Sequence, residues 1–461
     1  MAEREFDVIV IGAGPAGEVL AGRVAERGHE TAIVESRLVG GECSFYACMP
    51  SKALLRPAEL LAEARRVPGV REAVSGGLDV PSLLARRDEI VHDLDDAGQV
   101  SWLTERGITL VRGHGKLEGE RLVRAGDELL RARRAVVIAT GSEAATAPIA
   151  GLAEARPWTN REATTSKVVP PRLLVLGGGV VGVELAQAYA SLGTVTTLIE
   201  GGPRVLAREE PFAGEQVCAA LRDHGVEVLT GVQATRVSRP PPGEGHEVTL
   251  TLDDGRQLVG DELLVAVGRR PATAELGLDT VGLEAGAYLP VDDTMRVEGH
   301  EWLYAIGDAN GRSLLTHMGK YQARVASLAI DGDARARATQ DGAGSPRVIF
   351  TNPQVAAVGM TEAAARDAGI DVRVVAHPSS GTAGASFVGR DTPGTAQLVI
   401  DASRDVIVGA TFVGFEVAEW LHAATIAVVG EIPIARLWDC VPAFPTRSEA
   451  WLRLLEEWEK D

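Results

Sequence analysis

The chain has 461 residues, 45% of them apolar and 24% charged, with 64 acidic against 46 basic side chains and a formal net charge of -18. That length exceeds a single hydrophobic core and predicts two to four domains, while the ordinary apolar content excludes disordered and fibrous classes. The acidic balance opposes nucleic acid and anionic membrane, both of which require basic surface.

Four cysteines, Cys43, Cys48, Cys218 and Cys440, are too few for a secreted disulfide scaffold. The first residues run directly into an apolar segment with no basic leader, which predicts no signal peptide. The apolar runs 173–176 and 424–429 fall far short of the roughly twenty residues a membrane span needs. A cytoplasmic enzyme is expected, with no metal site and a close cysteine pair that is catalytic rather than structural.

Residues 6–11 read as a buried parallel strand. The turn Gly12-Ala13-Gly14-Pro15-Ala16-Gly17 follows, then a helical pattern over 19–27 and a second strand over 31–34, closed by Glu35. The first glycine permits the tight turn, the second lets a pyrophosphate approach the backbone, and the third lets helix pack on strand. Exposed N–H groups at the helix start favour phosphates, and the acid accepts from a ribose hydroxyl. Gly12, Gly14, Gly17 and Glu35 are thus candidate dinucleotide ligands.

Next comes Gly40-Gly41-Glu42-Cys43-Ser44-Phe45-Tyr46-Ala47-Cys48-Met49-Pro50-Ser51-Lys52. Two cysteines five apart, beside a nucleotide-binding unit, suit a dithiol that exchanges electrons with a bound cofactor. The spacing alone also fits a fragment of a metal site, but no second Cys or His pair completes four zinc ligands.

The segment 135–142 is a buried strand ending in Thr140-Gly141-Ser142, where open α/β sheets bind ligands. The first unit then recurs: strand 172–176, loop Gly177-Gly178-Gly179-Val180-Val181-Gly182, helix 183–192 and strand 194–199, ending in Glu200. Gly177, Gly179, Gly182 and Glu200 predict a second nucleotide domain. Glu200 would repel a 2′-phosphate and accept from a free ribose hydroxyl, which favours NADH over NADPH, with Arg204 nearby as a competing cation. Cys218 lies in the helical pattern 215–221 and is expected in the core.

Segments 262–268 and 303–308 are further strands ending in small residues. A connector is expected at 334–346, followed by strands 347–350, 395–400 and 406–413 with helices between them. This last block lacks a glycine fingerprint, so assembly is its expected task. Cys440 is expected to be packed rather than reactive.

Taken together, the chain resembles the flavin-dependent pyridine nucleotide–disulfide oxidoreductases, the group holding dihydrolipoyl dehydrogenase, glutathione reductase and mercuric reductase. The likeness spans nearly the whole chain. It rests on both glycine loops, the Cys43–Cys48 segment and the Ala139-Thr140-Gly141 turn. Val267-Gly268-Arg269-Arg270-Pro271, Ile306-Gly307-Asp308, Phe350-Thr351-Asn352-Pro353 and Val358-Gly359-Met360-Thr361-Glu362 extend it.

The resemblance implies an α/β fold of two Rossmann-like dinucleotide-binding domains plus a C-terminal α+β dimerisation domain. FAD would occupy 1–150 with 275–335, NAD would occupy 151–274, and 345–461 would form a homodimer interface. It implies that Asp308 binds the ribitol region of FAD and that His317 and Met318 lie along the flavin edge. Gly41, Thr140, Gly141 and Gly268 join the cofactor-binding set. Lys52 and Glu184 would be the pair beside the flavin, Cys48 would exchange electrons with the flavin, and Cys43 would attack the substrate.

One position departs from that pattern. Disulfide-reducing members carry a His before Pro-Thr near the C terminus, oriented by a Glu a few residues on. Here Glu449 and Pro445-Thr446 remain, but the His position is Phe444. A phenyl ring cannot take the proton that an imidazole would accept from the attacking thiol, and loss of such a base costs roughly 10²- to 10⁴-fold in rate. No C-terminal cysteine pair or N-terminal metal-binding domain of the mercuric reductase kind is expected. Phe45, Tyr46 and Phe444 suggest an apolar acceptor site for a planar molecule.

The leading expectation is a dimeric FAD enzyme that passes electrons from NADH through Cys43–Cys48 to a disulfide, metal ion or small electrophile. The alternative is an NADH-dependent quinone or dye reductase in which the flavin delivers electrons directly. A minor alternative is a non-enzymatic flavoprotein that senses nicotinamide redox state.

Overall fold

The computed structural model describes residues 3–460 apart from 242, 244, 343, 390, 391 and 393. The chain forms two compact units, one of Met1–Pro50, Asp88–Ala145 and Arg269–Gly342, the other of Ser51–Arg87, Thr146–Gly268 and Ala343–Asp461.

In the first unit, strand Glu3–Ile11 lies between Thr31–Glu35 and Glu128–Ile138, parallel to both. Leu303–Ala305 adds in parallel to Glu128–Ile138, and Thr109–Arg112 pairs with the far side of Thr31–Glu35. Both faces are covered, which is why these strands read as continuous apolar runs. Val8, Val10, Ile33 and Val137 meet Leu20 and Val24 of helix Pro15–Ala25 and Ala323 and Ala326 of helix Thr316–Ile330. Their alternates Ile9, Ile11, Val34, Val136 and Ile138 face Leu117, Leu278 and Leu289. The first helix begins at Pro15, earlier than the apolar periodicity suggests, because proline at its start is pre-set for helical geometry. Strand 303–308 stops at Ala305, where Gly307 takes φ +67° and opens a short 3₁₀ turn to Asn310.

The second unit repeats the plan with strands Glu227–Thr230, Val195–Glu200, Arg172–Leu176 and Glu262–Val265, all parallel. It also contains the antiparallel sheet of Arg347–Ile349, Gln354–Gly359, Val406–Gly414, Thr395–Asp401 and Val372–Pro378. Helices Leu421–Val429 and Ala450–Glu459 pack on that sheet through Leu421, Ala424 and Leu454.

The expected block 1–150 is divided between the units. Residues 51–87 join the second unit because Leu54, Leu55 and Leu83 share a core with Val183, Leu185 and Tyr189. Of the blocks expected at 151–274 and 345–461, residues 151–268 and 345–461 fall in one unit, since Ile349, Val355 and Val413 enter that core. Among the described residues no helix is long and apolar enough to cross a membrane.

Candidate redox active site

In the first unit the glycine loop is tight. Gly12 holds φ +103°, and a methyl group on Gly17 would lie 2.0 Å from the Gly12 carbonyl oxygen. Gly14, in contrast, has nothing within 4 Å of where a side chain would go. Glu35 braces the loop: one carboxylate oxygen accepts from the Ala13 N–H at 2.8 Å and the other from Arg37 N–H at 2.7 Å.

At the strand ends, Thr140 Oγ1 is buried with no partner among the described residues, and Gly141 holds φ +73°. Burial pushes the Asp308 carboxyl up, while the Ser142 hydroxyl donates to it and Arg269 lies nearby. Arg269 donates to Ser142 Oγ at 2.6 Å and reaches Glu42 at 3.1 Å. An orphaned hydroxyl, a half-buried carboxylate and an open glycine surface fit a flavin dinucleotide, whose phosphates and hydroxyls complement each of them. Ser142, Arg269 and Glu42 did not stand out as site residues in the sequence. Their only signal was adjacency to Gly141, Gly268 and Cys43.

Gly40 and Gly41 take φ +111° and +59°, which sets helix Gly41–Phe45 at a sharp angle to the preceding chain. Helix Cys48–Arg66 follows. The Cys43 and Cys48 thiols hydrogen-bond each other, and Cys48 Sγ lies 3.5 Å from Thr316 Oγ1. The Cys48 thiol, with burial, pushes Cys43 up; Thr316 and Lys320 pull it down. His317 is exposed and Met318 buried on the same helix. Phe45 is only 1% exposed and belongs to the interior, which corrects its expected place in an acceptor wall. Tyr46 is half-buried.

The second unit brings Lys52 and Glu184 together. Lys52 Nζ donates to Glu184 Oε2 at 2.8 Å, and Glu184 Oε1 accepts from the Phe350 N–H at 2.9 Å. The Lys52 ammonium also stands 4.8 Å from the Phe350 ring centre. Glu184 is buried, and each of its oxygens has a donor, one of them the charged Lys52 ammonium.

The second glycine loop copies the first. Gly177 holds φ +110°, a methyl on Gly182 would sit 1.8 Å from the Gly177 carbonyl oxygen, and Gly179 is open. Glu200 accepts from the Gly178 and Gly202 N–H groups, each at 2.6 Å. The Arg204 guanidinium is spent on the carbonyls of Leu206, Ala207 and Glu209. Gly268 holds φ +138° just beyond strand Glu262–Val265.

Phe444 and Glu449 are close in sequence but differ in setting: Phe444 is 77% exposed, whereas Glu449 is buried and accepts from the Gly384 N–H at 3.3 Å. Cys218 is half-buried against the core, as expected. Cys440 is exposed, contrary to expectation, because the segment after Leu437 leaves the interior. Among the described residues no cluster of His, Cys, Asp or Glu could hold a metal ion.

Known proteins resemble this chain. The pyridine nucleotide-disulphide oxidoreductase pattern matches residues 6–327, and the dimerisation domain of the same family matches 345–455. The chain belongs to this family. It is 31% identical to dihydrolipoyl dehydrogenase of Chlamydia muridarum, over 97% of this chain and 95% of that protein. It is 30% identical to mercuric reductase of Lysinibacillus sphaericus, over 100% of this chain and 84% of that protein. Among solved structures, the Cu(II) complex of the HOCl-induced flavoprotein disulfide reductase RclA from Escherichia coli superposes with TM-score 0.86 at 25% identity, covering 98% of this chain and 99% of that one. The protein is therefore a flavoprotein oxidoreductase of the disulfide reductase type, using FAD and a pyridine nucleotide. The dimerisation domain supports a homodimer.

Proposed function

We propose that the protein uses NADH to reduce a small acceptor through Cys43 and Cys48, with ordinary disulfides such as lipoamide as poor acceptors. The observation that carries this reading is the thiol pair, hydrogen-bonded together beside Thr316 in the unit that holds the flavin-type cradle. Bound FAD supplies a two-electron relay between the nucleotide and the dithiol. Asp308, with Thr140 and the Gly14 surface, would hold the flavin dinucleotide. The family resemblance gives Lys52, fixed by Glu184, the task of stabilising negative charge on a reduced flavin.

On a disulfide acceptor the Cys43 thiolate attacks one sulfur, forming a mixed disulfide and releasing the first thiolate. Cys48 then attacks Cys43, restoring the intramolecular disulfide and releasing the second. Two electrons pass to the acceptor, and its two thiolates each take up one proton. Phe444 gives no base for this exchange, so acceptors that need no leaving-group protonation are favoured. That same position supports the second reading, direct flavin reduction of a quinone.

Cys43→Ser separates the two. Turnover with a panel of disulfides, quinones and Cu(II) should fall at least about 10²-fold for every acceptor that uses the thiol pair. Unchanged turnover on all of them would leave direct flavin delivery as the function.

NADH should outpace NADPH in flavin reduction by at least about tenfold, or 1.4 kcal/mol. Glu200 occupies the ribose end of the second loop, and Arg204 is already committed to backbone carbonyls. A 2′-phosphate would meet the Glu200 carboxylate, with the Arg204 guanidinium already held by backbone carbonyls. Stopped-flow reduction with each nucleotide checks this, and an NADPH advantage would refute it.

A further inference from the structure

We propose that Gln322 is a positioning residue for flavin binding: its buried amide fixes the turn that presents Asp308, and Asp341 fixes the amide. The inference rests on the reading of Asp308 as a flavin ligand. All the groups involved lie in the first unit.

Turn Gly307–Asn310 has no side-chain cap. Gly307, Ala309 and Asn310 are buried, and Asp308 is its half-buried member. Helix Thr316–Ile330 lies hard against the turn: a methyl on Gly319 would sit 3.3 Å from Gly307 Cα and 3.1 Å from Ala16 Cβ in the first glycine loop. Gln322 follows on the same face of that helix and is 0% exposed. Its Oε1 accepts from the Gly307 N–H at 2.8 Å and from Asn310 Nδ2 at 3.0 Å. One side-chain oxygen thus ties both ends of the turn, with Asp308 between them. Asn310 tightens the clamp, donating also to the Ala305 carbonyl at 3.1 Å and accepting from the Arg312 N–H at 3.0 Å.

Asp341 decides which way the amide faces. Gln322 Nε2 donates to Asp341 Oδ2 at 3.2 Å, and the same oxygen pairs with Arg312 Nε at 2.9 Å. Turned over, the amide would set its NH2 against two N–H donors and its oxygen against a carboxylate. Asp341 is itself only 3% exposed, and Arg312 is held in turn by Asp293 at 3.3 Å. A buried network with every Gln322 group partnered specifies one arrangement, and leaving it half-made is costly.

The test is the rate at which holoenzyme releases flavin on dilution, read as free FAD fluorescence once a melting curve has shown each variant folded. Gln322→Leu removes the acceptor and leaves the Gly307 N–H unpaired, so release should be about tenfold to a hundredfold faster. Gln322→Glu restores the acceptor. At about pH 6, where a buried carboxyl shares a proton with its Asp341 neighbour, its release should lie within about threefold of wild type. That rescue is a result that mere filling of space does not give. Asp341→Ala frees the amide to turn over and should speed release about threefold to tenfold. Wild-type release from Gln322→Leu overturns the proposal, and so does Gln322→Glu releasing as fast as Gln322→Leu. Should Gln322→Leu fail to fold, Asp341→Ala decides, and wild-type release there overturns it. The readout involves no acceptor. If Asp308→Ala keeps wild-type release while Gln322→Leu is fast, the reading of Asp308 as ligand fails and the brace on the turn stands.

Discussion

Gly14→Ala should yield a folded protein that retains little flavin, whereas Gly17→Ala should fail to accumulate as folded protein at all. The two glycines are three residues apart and make different demands. Gly14 has extended backbone at φ −72°, which alanine adopts freely, and no atom within 4 Å of the new methyl. A methyl there costs the protein nothing and fills the side from which a pyrophosphate approaches. Gly17 packs its Cα on the Gly12 carbonyl, and a methyl would sit 2.0 Å from that oxygen. Both atoms belong to the strand–helix joint, so helix and strand must separate. The cost exceeds the about 1–3 kcal/mol of ordinary overpacking and removes much of a typical 5–15 kcal/mol stability.

The second loop should repeat the contrast on the other cofactor. Gly179 is extended and open, whereas a methyl on Gly182 would lie 1.8 Å from the Gly177 carbonyl oxygen. Gly179→Ala should therefore purify yellow with a raised KM for NADH, and Gly182→Ala should unfold. Flavin absorbance and thermal melting of the four variants check this. A stable, flavin-replete Gly17→Ala protein would show that the loop tolerates a wider joint than its geometry allows.

Much of this was legible in the sequence because nucleotide loops combine three local signals: glycine spacing, a continuous apolar strand and a closing acid. Gly12 to Glu35 and Gly177 to Glu200 each carry all three. The structure adds that Glu35 and Glu200 are loop braces, with both oxygens of each already accepting backbone N–H groups. Segment 51–87 joins the second unit because helix membership is decided by packing: Leu54 and Leu83 share a core with Val183 and Tyr189, over a hundred residues away. The bracing of Asp308 by Ser142, and of Ser142 by Arg269, was hidden for the same reason, since 127 positions separate the last two. Phe45 misled because an aromatic beside a reactive cysteine reads as a substrate wall, while its ring is an interior anchor under Gly40.

Phe444→His should raise turnover on lipoamide and glutathione disulfide by about 10²- to 10⁴-fold, the range that a positioned acid–base group contributes. The wild-type enzyme should reduce both more slowly than quinone-type acceptors. Phe444 is 77% exposed and touches little of its own chain, so an imidazole replaces it without opening a cavity. Glu449, five residues on, is buried and held by the Gly384 N–H, a carboxylate already fixed for orienting a ring nitrogen. Gly384 is itself wedged against the chain at Thr446, where a methyl would meet the Thr446 carbonyl carbon at 2.1 Å, so this turn is tightly defined. By the family resemblance, an imidazole at this position would act across the dimer, taking the proton of the attacking thiol and returning it to the departing sulfur. Its signature is a pH profile: the variant's gain should be largest above the ordinary imidazole pKa of about 6.5 and fade below it, where the ring is already protonated. Paired turnover measurements on both disulfides and a quinone across pH decide the matter. Efficient, Cys43-dependent reduction of lipoamide by the wild type would mean that another group supplies the base and that Phe444 does not exclude ordinary disulfides.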